Sequence, residues 1–316
     1  MKIGLDVLGG DFAPNATIHG AIMAQKELPD TDQIVLIGDR EAILSFLKVE
    51  GVDSGIFEIV NAPDMIEMNE QPTKAFLSKP NSSISVGFRL LKNNEIDGFC
   101  SAGSTGAIVV GSISSVNLVQ GIIRPSLPAT LPKESGGTTI LIDVGTNPDP
   151  KPDVLYQFGI LGSLFAQHVY NIDQPRIALL NIGSEEKKGN LTSQIVYQMM
   201  KESKDFFFIG NIEGRDLYSD IADVVVCDGF VGNVVLKQGE AFYEILRKKG
   251  ILDPYFERFN FENYGGAPVL GINSTVVVGH GISNDIAIHN MILLTKEVYN
   301  AKLSEKIKQA LESFPK

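Results

Sequence analysis

A three-layer α/β/α fold on a largely parallel sheet is what this amino-acid sequence predicts. Three observations carry that expectation. Apolar strand-like runs and helical patterns alternate almost throughout the 316 residues. The run Val224-Val225-Val226 is apolar and β-branched at consecutive positions, which suits a strand buried on both faces. Most runs end in a short stretch of Gly, Asn, Asp, Ser or Thr, the composition of a tight strand-to-helix turn. No repeat of fixed period and no low-complexity linker divides the chain. It therefore reads as one α/β domain over 1–316, with a short helical arm at 239–263.

Lys2 to Val7 is the first strand, and Pro14 with Asn15 opens a helix to about Leu28. Ile34 to Ile37 is the second strand, and Asp39 is placed to cap a helix through Lys48. Phe57 to Val60 is a third strand, followed by a polar loop from Asn61 to Gln71. Ser82 or Ser83 starts a helix through Leu91 that stops at Asn93-Asn94. After a short strand from Asp97 to Ser101, Ala102 to Gly106 opens a helix to about Asn117. Arg124 to Pro132 is an extended, proline-marked crossing. Thr138 to Ile142 is a strong strand, and Asp153 is placed to cap a long helix to Val169. The strand from Arg176 to Leu180 precedes a helix from Leu191 to Lys201, and a strand from Phe206 to Gly210 follows. Val224 to Val226 leads through the turn Asp228 to Asn233 into a helix from Val234 to Lys249. Val269 to Ile272 and Thr275 to Val278 form a hairpin joined at Asn273-Ser274. A last long helix runs from Asn284 to Lys302, with a short one after it to Leu311.

Composition narrows the function. The apolar fraction is 44% and the charged fraction 21%, as in soluble globular proteins. A net charge of −11 argues against a broad nucleic-acid-binding surface. Cys100 and Cys227 have no metal-ligand spacing and read as buried free thiols, which suits a reducing cytoplasm. MKIGLDVLGGD lacks the apolar core of a signal peptide, and no run is long enough to span a membrane.

In an open parallel sheet, ligands bind beyond the carboxyl ends of the strands. Six loops there share one composition: Asp6 to Asp11, Ser101 to Gly106, Asp143 to Asn147, Asn181 to Gly189, Asn211 to Asp216, and Asp228 to Asn233. Together they suit a phosphate-bearing or other anionic ligand, held by backbone N–H groups near helix starts. Lys188, Arg215, Arg124 and His280 are the cations in or beside these loops. Each also has an ordinary reading. Glu185-Glu186-Lys187-Lys188 is equally a solvated charge run, Arg215 can pair with Asp216 or Asp220, and Arg124 can be a surface arginine. His280 lies between two glycines, which leaves its ring accessible. His19, His168 and His289 read as structural. Asp6, Asp143 and Asp228 are the acidic strand ends, without a cluster that would hold a metal. No GxxxxGK[ST], GxSxG, HExxH or GxGxxG motif is present.

Taken together, the motifs resemble one family. They are LDVLGGDFAP from Leu5, SAGSTGA from Ser101, RPSLPATLP from Arg124, IDVGTNPD from Ile142, ALLNIGSEEKKGN from Ala178, GNIEGRDL from Gly210, DVVVCDGFVGNVVLK from Asp223, YGGAPVLGIN from Tyr264 and GHGISN from Gly279. In this order, over nearly the whole length, the chain resembles bacterial phosphate acyltransferase, the acyl-carrier-protein transacylase of phospholipid synthesis. Departures fall at Leu8, Ser104, Thr146, Gly279 and Ile282. The arm between Gly239 and Asn263 looks shorter than in many relatives.

The resemblance implies a fold like that of phosphotransacetylases and the isocitrate dehydrogenase group. It implies transfer of a long-chain acyl group from acyl carrier protein to inorganic phosphate, with no cofactor and no metal. The acyl phosphate would serve a membrane-bound glycerol-3-phosphate acyltransferase. It further implies a cytoplasmic homodimer with peripheral contact to the inner face of the cell membrane. Lys188, His280 and Asn233 become the candidate catalytic residues. Asp6, Gly10, Asp11, Ser104, Thr105, Gly106, Arg124, Asn147, Glu185, Arg215, Asp228, Gly229 and Gly232 are the candidates for binding substrate and phosphate. In the arm, Phe242, Ile245 and Leu246 share a helical face, Arg247 to Lys249 form a basic end, and Tyr255, Phe256, Phe259 and Phe261 add aromatic surface. That arm suits lipid, carrier protein or the dimer partner alike. The alternative activity is a dehydrogenase or a CoA-dependent phosphotransacetylase on the same fold; a non-catalytic acyl-ligand sensor is a third reading.

Overall fold

In a computed structural model of the protein, which describes residues 1–251 and 253–312, the strands fall into two sheets. Leu252 of the arm and 313–316 lie outside the described residues. The chain begins β1 (Lys2–Asp6), α1 (Asn15–Glu27), β2 (Gln33–Gly38), α2 (Arg40–Val49), β3 (Glu58–Asn61), α3 (Pro72–Ser78), α4 (Ser83–Lys92), β4 (Gly98–Ser101) and α5 (Thr105–Gly111). It continues β5 (Pro128–Pro132), β6 (Thr138–Ile142), α6 (Pro152–Val169), β7 (Arg176–Leu180), α7 (Leu191–Lys201), β8 (Phe207–Ile212), β9 (Val224–Val226) and α8 (Gly229–Lys248). It ends β10 (Ala267–Pro268), β11 (Thr275–Val278), α9 (Asp285–Asn300) and α10 (Leu303–Glu312).

Two compact units result. Unit 1 comprises 1–118 and 261–304 and carries a six-stranded sheet in the order β10-β11-β4-β1-β2-β3. All neighbours are parallel except the short edge strand β10. Among the described residues unit 2 comprises 119–260 and 305–312, with a five-stranded sheet in the order β5-β6-β9-β7-β8. Only its edge strand β5 is antiparallel. Each sheet is thus largely parallel, and its central strands are buried as their apolar runs require.

Core packing follows from the same residues. In unit 1, Ile3 and Leu5 of β1 are fully buried with Ile34 and Leu36 of β2. The helices α1 and α9 meet where Gly20 has no side chain; a Cβ there would lie 2.6 Å from the Cβ of Ile288. Phe88 and Phe99 pack edge to face at 5.2 Å. In unit 2, Phe158, Leu161 and Phe165 of α6 are buried together with β6, β7 and β9. Gly162 lets α6 settle on Val224, whose Cγ1 would be 2.5 Å from an added Cβ.

Most elements lie where the apolar pattern puts them, with five differences. α8 begins at Gly229, so Gly229 to Asn233 is the first helical turn and not a loop. Asp228 is its N-cap and accepts from Val231 N at 2.8 Å, and this cap outweighs the two glycines. Asp153 lies inside the first turn of α6, whose N-cap position is Lys151. The hairpin pairs Ala267 with Val278 and Pro268 with Val277, two residues earlier than expected, and Asn273 instead donates to the carbonyls of Val116, Asn117 and Leu118. α3, absent from the expected order, starts at Pro72, with Gln71 capping Lys74 N at 2.6 Å. α5 ends at Gly111 and passes into a π-helical turn at Ser112–Val116, short of the expected single helix to Asn117.

Candidate active site

The carboxyl ends of the parallel strands in unit 2 gather the loops after β6, β9, β7 and β8 side by side, in that order. Asp143, fully buried at the end of β6, organises the first of them. Its Oδ1 accepts from Ser126 Oγ at 3.0 Å and Leu127 N at 2.9 Å. Its Oδ2 accepts from Thr146 N at 3.1 Å, Asn147 N at 2.6 Å and Asn147 Nδ2 at 3.2 Å. The carboxylate thus takes up amides that a loop of this composition would otherwise offer to an outside anion. Asn147 Nδ2 also donates to Pro125 O at 2.8 Å, which draws exposed Arg124 to this edge.

α8 closes against the same loop. A Cβ on Gly232 would stand 1.9 Å from Asp143 O, and one on Gly229 would stand 2.6 Å from Asp143 Oδ2. Both glycines therefore serve close helix-to-loop packing, and neither has the positive φ of a glycine turn. Asn233, one turn into α8 and exposed, lies over Gly145: a Cβ added there would meet its Oδ1 at 3.5 Å. Thr146 Oγ1 beside it is buried without a hydrogen-bond partner.

The loop after β7 carries Lys188, whose side chain is 48% exposed and whose ammonium lies 3.8 Å from Glu185 Oε1. Its stem passes Gly183, where an added Cβ would be 3.0 Å from Lys188 Cγ. Arg215 is largely exposed and pairs with Glu213 at 3.1 Å, not with Asp216 or Asp220. Asp216 instead completes a capping box with Glu213.

In unit 1, the carboxyl ends of β11, β4 and β1 are neighbours. Asp6 is buried and accepts from Ser101 Oγ at 2.6 Å and Leu8 N at 3.0 Å. Burial pushes its carboxyl up, and hydrogen bonds from Ser101, Ser83 and the Leu8 and Gly9 amides only partly offset this. Ser101 Oγ also accepts from Gly103 N, joining the β1 and β4 loops. Asp11 N donates to Gly281 O at 2.7 Å, and Gly10, at φ +103°, makes the turn that permits it. Ser104 caps α5, and Gly106 leaves room only for Pro72, 2.5 Å from where its Cβ would be. His280 packs on Phe261 with ring centroids 4.9 Å apart. Its Nδ1 accepts from Ile282 N at 3.4 Å, which places the proton of the neutral ring on Nε2. A cavity of about 190 Å³ opens beside these loops, lined by Asp6, Leu8, Gly10, Met65, Met68 and Ser83.

The sequence-expected residues therefore divide. Asp6, Gly10, Asp11, Ser104, Thr105, Gly106 and His280 belong to unit 1. Arg124, Asn147, Glu185, Lys188, Arg215, Asp228, Gly229, Gly232 and Asn233 belong to unit 2. The other three histidines have partners: His19 lies 3.3 Å from Glu50, His289 lies 3.0 Å from Glu27, and His168 Nδ1 lies 3.0 Å from Lys306. Burial pushes the Cys100 thiol up to about 12 and the Cys227 thiol well above its ordinary value, so neither is a ready nucleophile. Among the described residues no group of His, Cys, Asp and Glu is placed to hold a metal ion.

A family model described as "Fatty acid synthesis protein" matches residues 1–306. A relative named "Phosphate acyltransferase" from Dictyoglomus thermophilum is 40% identical, covering 99% of this chain and 98% of its own. The chain belongs to the phosphate acyltransferase family. It is an acyltransferase. A second relative of the same name, from Syntrophomonas wolfei, is 39% identical over 96% of this chain and 97% of its own. The fold is that of a EutD phosphotransacetylase from Staphylococcus aureus, with a TM-score of 0.64 at 17% identity, covering 95% of this chain and 94% of that one.

On this acyltransferase, sequence reasoning missed the residues that hold the loops in shape. Ser101 and Ser126 are small buried hydroxyls, and Asn181 and Asn211 are amides that bond to loop carbonyls. Their one visible signal was polarity at or beside a strand end.

Proposed function

We propose that this acyltransferase moves a long-chain fatty acyl group from the thioester of acyl carrier protein to inorganic phosphate. A phosphate oxygen attacks the carbonyl carbon and forms the new C–O bond. The carbon–sulfur bond breaks, and the carrier-protein thiolate leaves; a thiol of pKa near 8.5 needs little help to do so. The observation that carries this reading is Lys188, a half-exposed cation beside small, polar loops at the carboxyl edge of a parallel sheet.

Lys188 holds the phosphate, with Arg124, Asn147, Glu185, Arg215 and Asn233 shaping its surroundings. Asp228, Gly229 and Gly232 keep α8 seated so that Asn233 stays in place. His280 donates from Nε2 to the oxyanion that develops on the thioester carbonyl, which is the largest electrostatic demand of acyl transfer. Asp6, Gly10, Asp11, Ser104, Thr105 and Gly106 fix the loops beside it. With both thiols buried, acyl transfer is direct, without a cysteine-bound intermediate.

Incubation with labelled phosphate and either an acyl carrier protein thioester or the matching CoA thioester tests this. The expected result is labelled acyl phosphate, formed faster from the carrier-protein donor. Faster use of the CoA thioester supports the phosphotransacetylase alternative, and no acyl phosphate from either donor overturns the proposal. The product is a mixed anhydride, fit to acylate glycerol 3-phosphate through a membrane-bound acyltransferase.

α8 supplies the contacts with a second copy and with the inner face of the cell membrane. Phe230, Val234, Phe242 and Ile245 are exposed along it, and it ends in Arg247, Lys248 and Lys249. Tyr255, Phe256 and Phe259 do not extend this surface: they are half-buried and pack on one another and on Tyr218. Phe261 packs on His280 instead. No helix of the described residues is long and apolar enough to cross a membrane, so any lipid contact is peripheral. Ile245→Glu is expected to convert dimer to monomer in sedimentation, and an intact dimer counts against the apolar stripe as its interface. Reversal of Lys248 and Lys249 to Glu is expected to abolish flotation with anionic vesicles; unchanged flotation counts against lipid contact.

A further inference from the structure

We propose that Asn211 is a positioning residue for Lys188, an inference that rests on the phosphate-holding role given to Lys188 above. The loop after β7 is held by side-chain amides at four of its carbonyls. Asn211 Nδ2 donates to Glu185 O at 2.9 Å, and Asn181 Nδ2 donates to Lys188 O at 3.2 Å. Gln194 Nε2 donates to Lys187 O at 3.0 Å and to Gly189 O at 3.2 Å. The Glu185 carbonyl also closes the turn by accepting from Lys188 N at 3.1 Å. Asn211 thus grips the turn whose geometry sets the root of the Lys188 side chain.

Three features single out Asn211 among these amides. It sits near the end of β8, opposite Leu179 of β7, so its side chain is anchored by a sheet and not by a loop. Asparagine is disfavoured within strands. It is only 7% exposed, and its Oδ1 is buried without a hydrogen-bond partner, a cost a packing role would not require. What the position uses is the N–H donor. The neighbouring backbone bond, Asn181 N to Ile212 O at 2.8 Å, keeps the loop's start in register with β8. At the loop's other end Gly189 turns at φ +87°, tight against Asn181. A loop held at both ends and at four carbonyls presents one ammonium in one place, and pre-organisation of this kind lowers the cost of binding.

Steady-state kinetics on the full chain test the assignment with Asn211→Ala, Asn211→Asp and Gln194→Ala, each with Lys188→Ala and without it. Asn211→Asp keeps the volume but loses the donor, and Gln194→Ala removes the half-exposed clamp on the Lys187 and Gly189 carbonyls. In the native background, each is expected to raise KM for phosphate about 10-fold, the scale of one lost hydrogen bond, with KM for the acyl donor unchanged. In the Lys188→Ala background, Asn211→Ala is expected to add no further loss. A purely structural role would lower kcat through loss of folded enzyme and leave KM for phosphate in place. An unchanged phosphate KM in Asn211→Ala and Asn211→Asp, or full additivity with Lys188→Ala, overturns the inference. If Lys188→Ala itself leaves phosphate use intact, the reading of Lys188 fails and the inference falls with it, so the two failures are told apart.

Discussion

Alanine at Lys188 is expected to lower turnover of phosphate into acyl phosphate at least about 100-fold, or about 2.7 kcal/mol of transition-state stabilisation, the scale of losing one donor to a developing anion. The ammonium is half exposed, and Glu185 lies 3.8 Å away, longer than a hydrogen bond. An incoming phosphate would therefore meet a charge weakly engaged by the protein. Lys188→Arg keeps the charge but replaces a point donor with a planar fork, and partial activity is expected from it. His280→Ala is expected to lose a comparable factor, because its loss removes the Nε2 donor while Phe261 and the turn at Gly281 remain. Stopped assays under saturating phosphate, with circular dichroism to verify folding, read these effects. Near-normal turnover in a folded Lys188→Ala, His280→Ala double variant would remove both residues from the mechanism.

Asp223→Ala is expected to cost about 3–5 kcal/mol of unfolding free energy, measured by urea denaturation at pH 7. This carboxylate lies at the opposite edge of the unit 2 sheet, just before β9. It accepts from Lys133 Nζ at 2.6 Å, from Arg176 Nε and Nη2 at 2.9 Å each, and from Arg176 N at 2.9 Å. Lys133 is almost wholly buried, so removing the carboxylate strands a positive charge away from water. Burial alone would push the Asp223 carboxyl up; the hydrogen bonds from Arg176 and Lys133 outweigh it and hold it well below the usual carboxylate range. The sign follows from that direction. Folding favours the charged form, so the contribution is full above the ordinary carboxylate pKa of about 3.9 and is lost as pH falls below it. The difference between native and variant chains is therefore expected to hold steady from pH 7 to 5 and to shrink only below about pH 4. A difference under 1 kcal/mol at pH 7, or one that has vanished by pH 6, contradicts this account.

Much of the fold was legible because it rests on local rules. The apolar run Arg176 to Leu180 is a strand over those same residues, and the helix at Leu191–Lys201 ends where expected. Asp39 and Ser82 cap the helices they were expected to start. The polar strand ends lie on two sheets, so the candidate residues divide between unit 1 and unit 2. What stayed hidden depends on distant partners. Asp6 with Ser101 and Lys133 with Asp223 are joined across 95 and 90 residues, and no local pattern announces either. The division of the strands between two sheets has the same cause, since β11 joins β4 while β9 inserts between β6 and β7. After Asp228 two glycines suggest a loop, whereas in the fold their missing side chains let α8 press on Asp143. The loop carboxylates posed the subtler problem. Asp6, Asp143 and Asp228 resemble ligand-binding groups in sequence, yet in the fold they accept from the protein's own amides.

The location of bound phosphate tests the central claim most directly. A crystal of the full chain grown in inorganic phosphate is expected to show the anion within about 3 Å of Lys188 Nζ, at the carboxyl edge of the unit 2 sheet. Phosphate bound elsewhere, with the Lys188 ammonium contacting only Glu185 and solvent, would contradict it.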